Sequence, residues 1–250
     1  MTEDIEVARE GAILSAAFAR PQKKNAITAA MYDTLIEAFE TAERDPEVGA
    51  LVLSGKGGVF TAGNDLGDFL AVASSETGDF PAWRFVSKLA EFEKPLIAAI
   101  DGLAIGIGTT LCFHCDLVYA TREARFQMPF VNLGLVPEAG SSLLTPQRFG
   151  RAKAAQFLLL AEPFGAEEAL QLGLVNALAP EHALMTLAMS KAAELAAKPR
   201  AALLATRRLM RGDPAALKAR MAEEMHAFSA ALKSPEAHAA FQAFLSAPRK

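Results

Sequence analysis

Apolar positions recur along this chain in two rhythms, and each predicts a different kind of element. "IEVARE" and "AILSAAF", on either side of Gly11, read as paired strands. "TAAMYDTLIEAFETAER" then sets Met31, Leu35 and Phe39 four apart behind Thr28, a helix with its N-cap. "ALVLSG" is a buried strand ending in glycine, "PAWRFVSKLAEFE" is helix-like, and "PLIAAI" is another apolar run. After the glycine-punctuated "DGLAIGIGTTL" come strand-like "DLVYA" and "ARFQM". Strands alternating with helices predict an α/β fold with a largely parallel sheet.

The last third changes rhythm. Asp213 and Pro214 form an N-cap with proline in the first turn, and Leu217, Met221, Met225, Phe228 and Leu232 follow at spacings of three or four. One long amphipathic helix is expected, with those residues facing inward. Ser234 and Pro235 repeat the start signal for a terminal helix carrying Ala239, Phe241, Phe244 and Leu245. Such stripes pack on the chain's own core or on a neighbouring subunit.

Composition narrows the function classes. With 250 residues and 52% hydrophobic side chains, the chain can build a substantial core in one large domain or a domain with an appendage. The net charge of −4, with no block of Lys or Arg, argues against nucleic acid as a partner. The start, "MTEDIEVARE", is acidic, and no apolar run approaches the roughly 18 residues that span a bilayer, so a cytoplasmic location without membrane attachment is expected. Cys112 and Cys115 flank His114 in "CFHC" without a second ligand pair, so buried thiols and a core histidine are expected, and no metal.

Three stretches carry candidate chemistry. "FTAGNDLGDF" and "DGLAIGIGTTL" share the order strand, glycine turn, helix. Such turns leave main-chain N–H groups free at a helix mouth, where two can cradle a developing oxyanion, although glycines also serve tight turns alone. Asp65 and Asp68 sit where helix caps sit. Neither "GIGTTL" nor "GKGG" has the spacing of a nucleotide loop, and no G-x-S-x-G elbow exists. In "NLGLVPEAGSS", Glu138 is the one ionisable group: either a first-turn residue after Pro137 or a base.

Taken in order, "RPQKKNAIT", "FTAGNDL", "KPLIAAIDGLAIGIGTTLCFHCDLVYA" and "LGLVPEAGSS", followed by "FGRAKAAQFLLLAEPFGAEEALQLGLVNALAP", resemble the crotonase superfamily, also called the enoyl-CoA hydratase/isomerase family. The resemblance implies a crotonase-like ββα spiral with two sheets over residues 1–195. It also implies a C-terminal helical region over 196–250, and assembly as trimers or dimers of trimers. It assigns the oxyanion hole for a thioester carbonyl to the N–H groups of Asn64 and Ile107, in the turns of Gly63 and Gly106. Lys24 and Ala26 then fall near the CoA moiety, with Ala62, Asp65 and Leu66 around its adenine and pantetheine end. Phe130, with Trp83, Phe85 and Leu89, would shape the acyl pocket.

The resemblance also marks two absences. Hydratases of this family generally carry two glutamates, and here the matching positions hold Thr110 and Phe130. Neither can activate water as a carboxylate base. The Pro-Glu turn is similar to that of the Δ3,Δ2-enoyl-CoA isomerase branch, except that Ala139 replaces a glycine and Gly140 follows one place later. A one-base isomerase acting through Glu138 is therefore expected, with CoA as part of the substrate and no separate cofactor. The rivals are an enoyl-CoA hydratase and a non-catalytic acyl-CoA-binding protein.

Overall fold

The computed structural model describes residues 2–73 and 80–246. The larger sheet begins with the hairpin β1 (Ile5–Glu10) and β2 (Ile13–Phe18), followed by α1 (Ala29–Arg44) and β3 (Ala50–Gly55). Next come α2 (Leu66–Ala73), α3 (Pro81–Glu91), β4 (Leu96–Ile100), β5 (Leu103–Ile105) and the four-residue α4 (Ile107–Thr110). The strands β6 (Leu117–Ala120) and β7 (Arg125–Gln127) lead to α5 (Ser141–Leu159), β8 (Phe164–Gly165), α6 (Ala166–Gln171) and β9 (Ala177–Leu178). Helices close the chain: α7 (Glu181–Ala196), α8 (Arg200–Arg211), α9 (Pro214–Leu232) and α10 (Pro235–Ser246).

Six strands form the first sheet in the order β1-β2-β3-β4-β6-β9, and three form the second in the order β5-β7-β8. In the first sheet only the β1–β2 pair is antiparallel. The mixed α/β fold with two sheets and C-terminal helices expected from the sequence is the fold observed.

Both faces of the first sheet are covered, which is why β3 and β4 read as unbroken apolar runs. Leu51, Leu53, Leu96 and Ala98 face the main core with α1 and α3, while Val52, Ile97 and Ala99 face Leu184, Ala188 and Ala192 of α7. Asp116 is structural: it accepts from Leu96 N at 2.8 Å and from Arg207 Nε of α8.

The C-terminal helices fold back onto this core and bear on the site. Rings of Phe69, Trp83 and Phe228 pack edge to face, tying α9 to α2 and α3. The α9 stripe differs from its expected membership. Leu217, Met221, Phe228 and Leu232 face inward, but Met225 is exposed and Glu224, only 5% exposed, takes the inward place. At 100° per residue Glu224 falls roughly 20° from the line through Leu217, and Met225 roughly 80° away. In α10, likewise, Ala237 and Phe241 are buried while Ala239 and Phe244 are exposed.

Candidate active site

The two glycine turns meet between the sheets. Isolated bridges pair Thr61 with Ala104 and Ile27 with Asn64, and Ile105 N donates to Thr61 O at 3.0 Å. Gly63 lies in the left-handed region (φ +85°), and a Cβ on it would come within 2.8 Å of the Ile105 carbonyl oxygen. Only glycine lets the turns approach this closely.

Ile27 N donates to Gly63 O and Asp65 N to Ile27 O, at 2.8 and 2.9 Å. That pairing turns the Asn64 N–H the other way. Ile107 is the first residue of α4, where an amide has no partner within the helix. Among the described residues, no group accepts a hydrogen bond from either amide. The Asn64 side chain is fixed by Tyr32, whose hydroxyl donates to Asn64 Oδ1 at 2.5 Å.

Glu138 is not a first-turn helix residue. Helix α5 starts at Ser141, so Glu138 precedes it in a turn where Ala139 (φ +57°) and Gly140 (φ +71°) are both left-handed. The turn therefore keeps its left-handed bend despite the alanine. The residue is 6% exposed, and the Thr110 hydroxyl donates to its Oε1 at 2.5 Å. Among the described residues Oε2 accepts no hydrogen bond, yet it is not one of the two orphaned, fully enclosed side-chain atoms, Thr145 Oγ1 and Arg207 Nη2. That oxygen faces what open space the residue retains.

Burial pushes the Glu138 carboxyl up to about 8; the Thr110 hydrogen bond opposes this and the Glu224 charge adds to it. The phenol of Tyr32 is raised by burial and then by the Glu138 charge, which places Tyr32 in the same neighbourhood.

Main-chain atoms of the turn are held from three sides. Ser141 N and Oγ donate to Glu138 O at 2.9 and 2.6 Å. His114 Nε2 lies 2.7 Å from Ala139 O, and burial holds its pKa down to about 4, so the neutral ring donates. Glu224 accepts from Gly140 N at 2.6 Å and Ser142 N at 2.9 Å. His114 is thus a satisfied core histidine, as expected. Cys112 and Cys115 are buried thiols whose Sγ atoms lie against the carbonyls of Gly108 and Leu111, at 3.3 and 3.5 Å.

The residues assigned to the CoA side cluster next to Gly63. Lys24 is left-handed and its carbonyl accepts from Ala62 N at 2.9 Å, while the Ala26 carbonyl accepts from Arg20 at 3.1 Å. Arg20 also pairs with Asp65 at 2.7 Å. Burial favours the neutral Asp65 acid, but Arg20 and the amides of Asp68 and Gly67 outweigh it and hold the carboxyl below its usual value. Asp65 caps α2, with Leu66 as the first helical residue, and Asp68 accepts from Ala29 N at 2.6 Å to cap α1. Phe130 packs in the main core.

Sequence reasoning missed Tyr32, Glu224 and the donor role of Thr110. Only Glu224 left a signal: a charge on an apolar helical stripe. It borders a cavity of about 200 Å³ lined by Trp83, Val86, Ala139, Met221 and Met225, with the Glu91–Lys218 ion pair (2.8 Å) among its walls. Two free amides and a desolvated carboxyl in an apolar site can remove a proton α to a carbonyl and stabilise the enolate.

The sequence model of one family, described as enoyl-CoA hydratase/isomerase, matches residues 8–248. Enoyl-CoA delta isomerase 2 of Rattus norvegicus is 40% identical over 185 residues, 72% of this chain and 47% of the relative, so the match spans about half of that protein's length. The 2,3-dehydroadipyl-CoA hydratase of Escherichia coli (strain K12) is 30% identical over 97% of this chain and 95% of the relative. The solved structure of Pseudomonas aeruginosa OdaA is 44% identical, covers 98% of this chain and 100% of its own, and superposes with a TM-score of 0.94.

Proposed function

The chain belongs to the enoyl-CoA hydratase/isomerase family, and from that premise we propose that it is a Δ3,Δ2-enoyl-CoA isomerase in which Glu138 is the only base. The substrate is an acyl-CoA thioester. Its carbonyl oxygen accepts from the free N–H groups of Asn64 and Ile107. Glu138 Oε2 takes a proton from C2 of the 3-enoyl group, and the electron pair of that C–H bond spreads over C2, C3, C4 and the thioester oxygen. The same carboxyl returns the proton at C4, leaving a double bond between C2 and C3. The proton leaves and re-enters through one residue, so no activated water is needed.

The observation that carries this reading is the Glu138 carboxyl: buried, poised near neutrality, with Oε1 held by Thr110 and Oε2 left open. A carboxyl whose pKa lies near 8 both accepts and returns a proton without a large imbalance. A hydratase would need carboxylates where Thr110 and Phe130 stand. Glu224 does not replace them, since each of its oxygens already accepts from a main-chain amide of residues 140–142.

The test uses 3-enoyl-CoA and 2-enoyl-CoA substrates. Isomerisation produces conjugated enoyl-thioester absorbance from the first, and Glu138→Gln abolishes it. Loss of that absorbance from the second, without activity on the first, would identify a hydratase. Thioester binding without turnover of either would identify a binding protein. The same reading includes assembly as a trimer or dimer of trimers, for which the exposed Leu159, Leu160, Leu209 and Met210 offer apolar surface. Light scattering gives the subunit count.

A further inference from the structure

Helix α5 has no side-chain cap of its own; its N-cap is Gly140. The cap comes from Glu224, more than eighty positions later, with Oε2 on Gly140 N at 2.6 Å and Oε1 on Ser142 N at 2.9 Å. Burying a carboxylate is costly, and no lysine or arginine forms an ion pair with Glu224 among the described residues. Two amides and the positive end of α5 are its compensation. A leucine in this place would satisfy the α9 stripe without that cost. The carboxylate therefore does something that packing does not require.

Its position shows what that is. The bonds to Gly140 and Ser142 span the residues that follow Glu138, and the turn they close includes an alanine held left-handed. Phe228, one turn along α9, packs against Phe69 and Trp83, so the same helix is anchored to α2 and α3. We propose that Glu224 is a positioning residue: by bridging Gly140 and Ser142 from α9, it fixes the Glu138 turn. This rests on Glu138 being the base.

The groups around Glu138 are Thr110 from α4, Tyr32 from α1 and Glu224 from α9, with His114 neutral behind Ala139. Of these, Glu224 is the one whose charge adds to the rise that burial gives Glu138.

The experiment compares the wild type with Glu224→Gln and Glu224→Asp in the full chain. It records isomerisation against pH and, separately from activity, the titration of the Glu138 carboxyl by infrared difference spectroscopy, identified by its loss in Glu138→Gln. Glu224→Gln is expected to move the Glu138 midpoint down and to lower kcat about tenfold with little change in KM. Glu224→Asp keeps the charge, so the midpoint stays near that of the wild type while kcat still falls. An unchanged midpoint and kcat in Glu224→Gln would overturn the proposal and leave Glu224 a helix cap. Loss of the fold in both variants would also overturn it, since the residue would then be structural. If Glu138→Gln itself keeps full activity, it is the assignment of the base that fails.

Discussion

The Thr110 hydroxyl donates to Glu138 Oε1, and Thr110 closes the same four-residue helix that Ile107 opens. Three residues of helix rise about 4.5 Å. One short element thus holds the Glu138 carboxyl at one end and presents a free amide at the other. A hydroxyl at position 110 supports the carboxyl and cannot itself act as a carboxylate base. The donor also limits how far burial can raise the Glu138 pKa.

Glu138→Gln is expected to lower the rate of 3-enoyl-CoA isomerisation by about 10² to 10⁴-fold, the range for loss of a general base. The wild-type rate should rise with pH and level off above about 8, because only the ionised carboxyl removes the C2 proton. A rate independent of pH between 6 and 9 would contradict the assignment.

Thr110→Val keeps the buried volume but removes the donor to Glu138. The carboxylate loses a stabilising bond, so the rising limb of the pH profile shifts to higher pH and the rate at pH 7 falls roughly tenfold, the equivalent of about 1.4 kcal/mol. Thr110→Ser retains the hydroxyl and is expected to restore most of the activity. Paired pH profiles of the two variants check this.

Much of this was legible from the residues. The runs in β3 and β4 and the Thr28 cap predicted their elements, because local patterns of burial and capping survive in one dimension. The glycines at 63 and 106 marked the turns, since the left-handed angles they adopt are costly for other residues. What stayed hidden depends on contacts between distant positions. Tyr32 meets Asn64 across 32 residues and Glu224 meets Gly140 across 84. The inward face of α9 illustrates the same limit: spacing admitted both Glu224 and Met225, a hydrophobicity rule chose the methionine, and the amides of α5 placed the glutamate inside. Glu138 as a first-turn residue failed for a local reason, since the helix begins only after the left-handed pair Ala139 and Gly140.

Stability should depend on pH through two opposed groups. Glu138 has a folded pKa raised to about 8 from 4.5, so the native state holds its proton longer and loses stability as pH rises from about 4.5 to 8. His114 has a folded pKa lowered from 6.5 to about 4, so stability is lost as pH falls from about 6.5 to 4. Glu138→Gln is therefore expected to be more stable than the wild type at pH 8, by roughly 1–3 kcal/mol, with the gain vanishing below pH 4.5. His114→Gln should flatten the acid limb. Urea titrations at several pH values separate the two.

The left-handed pair at the base turn predicts opposite effects of a single methyl group at adjacent positions. Ala139 holds φ +57° with a Cβ, a conformation costing an L-residue roughly 1–2 kcal/mol. Ala139→Gly removes that strain but adds freedom to the unfolded chain, an opposing cost of roughly 0.4–1 kcal/mol, so the net gain is small, roughly 0.5–1 kcal/mol. Gly140 at φ +71° is glycine for two reasons: the same strain, and a Cβ there would lie 2.3 Å from Leu217 Cδ1 of α9. Leu217 Cδ1 ends a flexible side chain of α9, the helix that carries Glu224, and must turn aside to make room. Gly140→Ala is thus expected to destabilise by about 1–3 kcal/mol and to lower kcat, whereas Ala139→Gly leaves kcat near the wild-type value. Thermal unfolding with parallel isomerase assays reads both. Equal effects of the two substitutions would show that the turn is not held in this geometry.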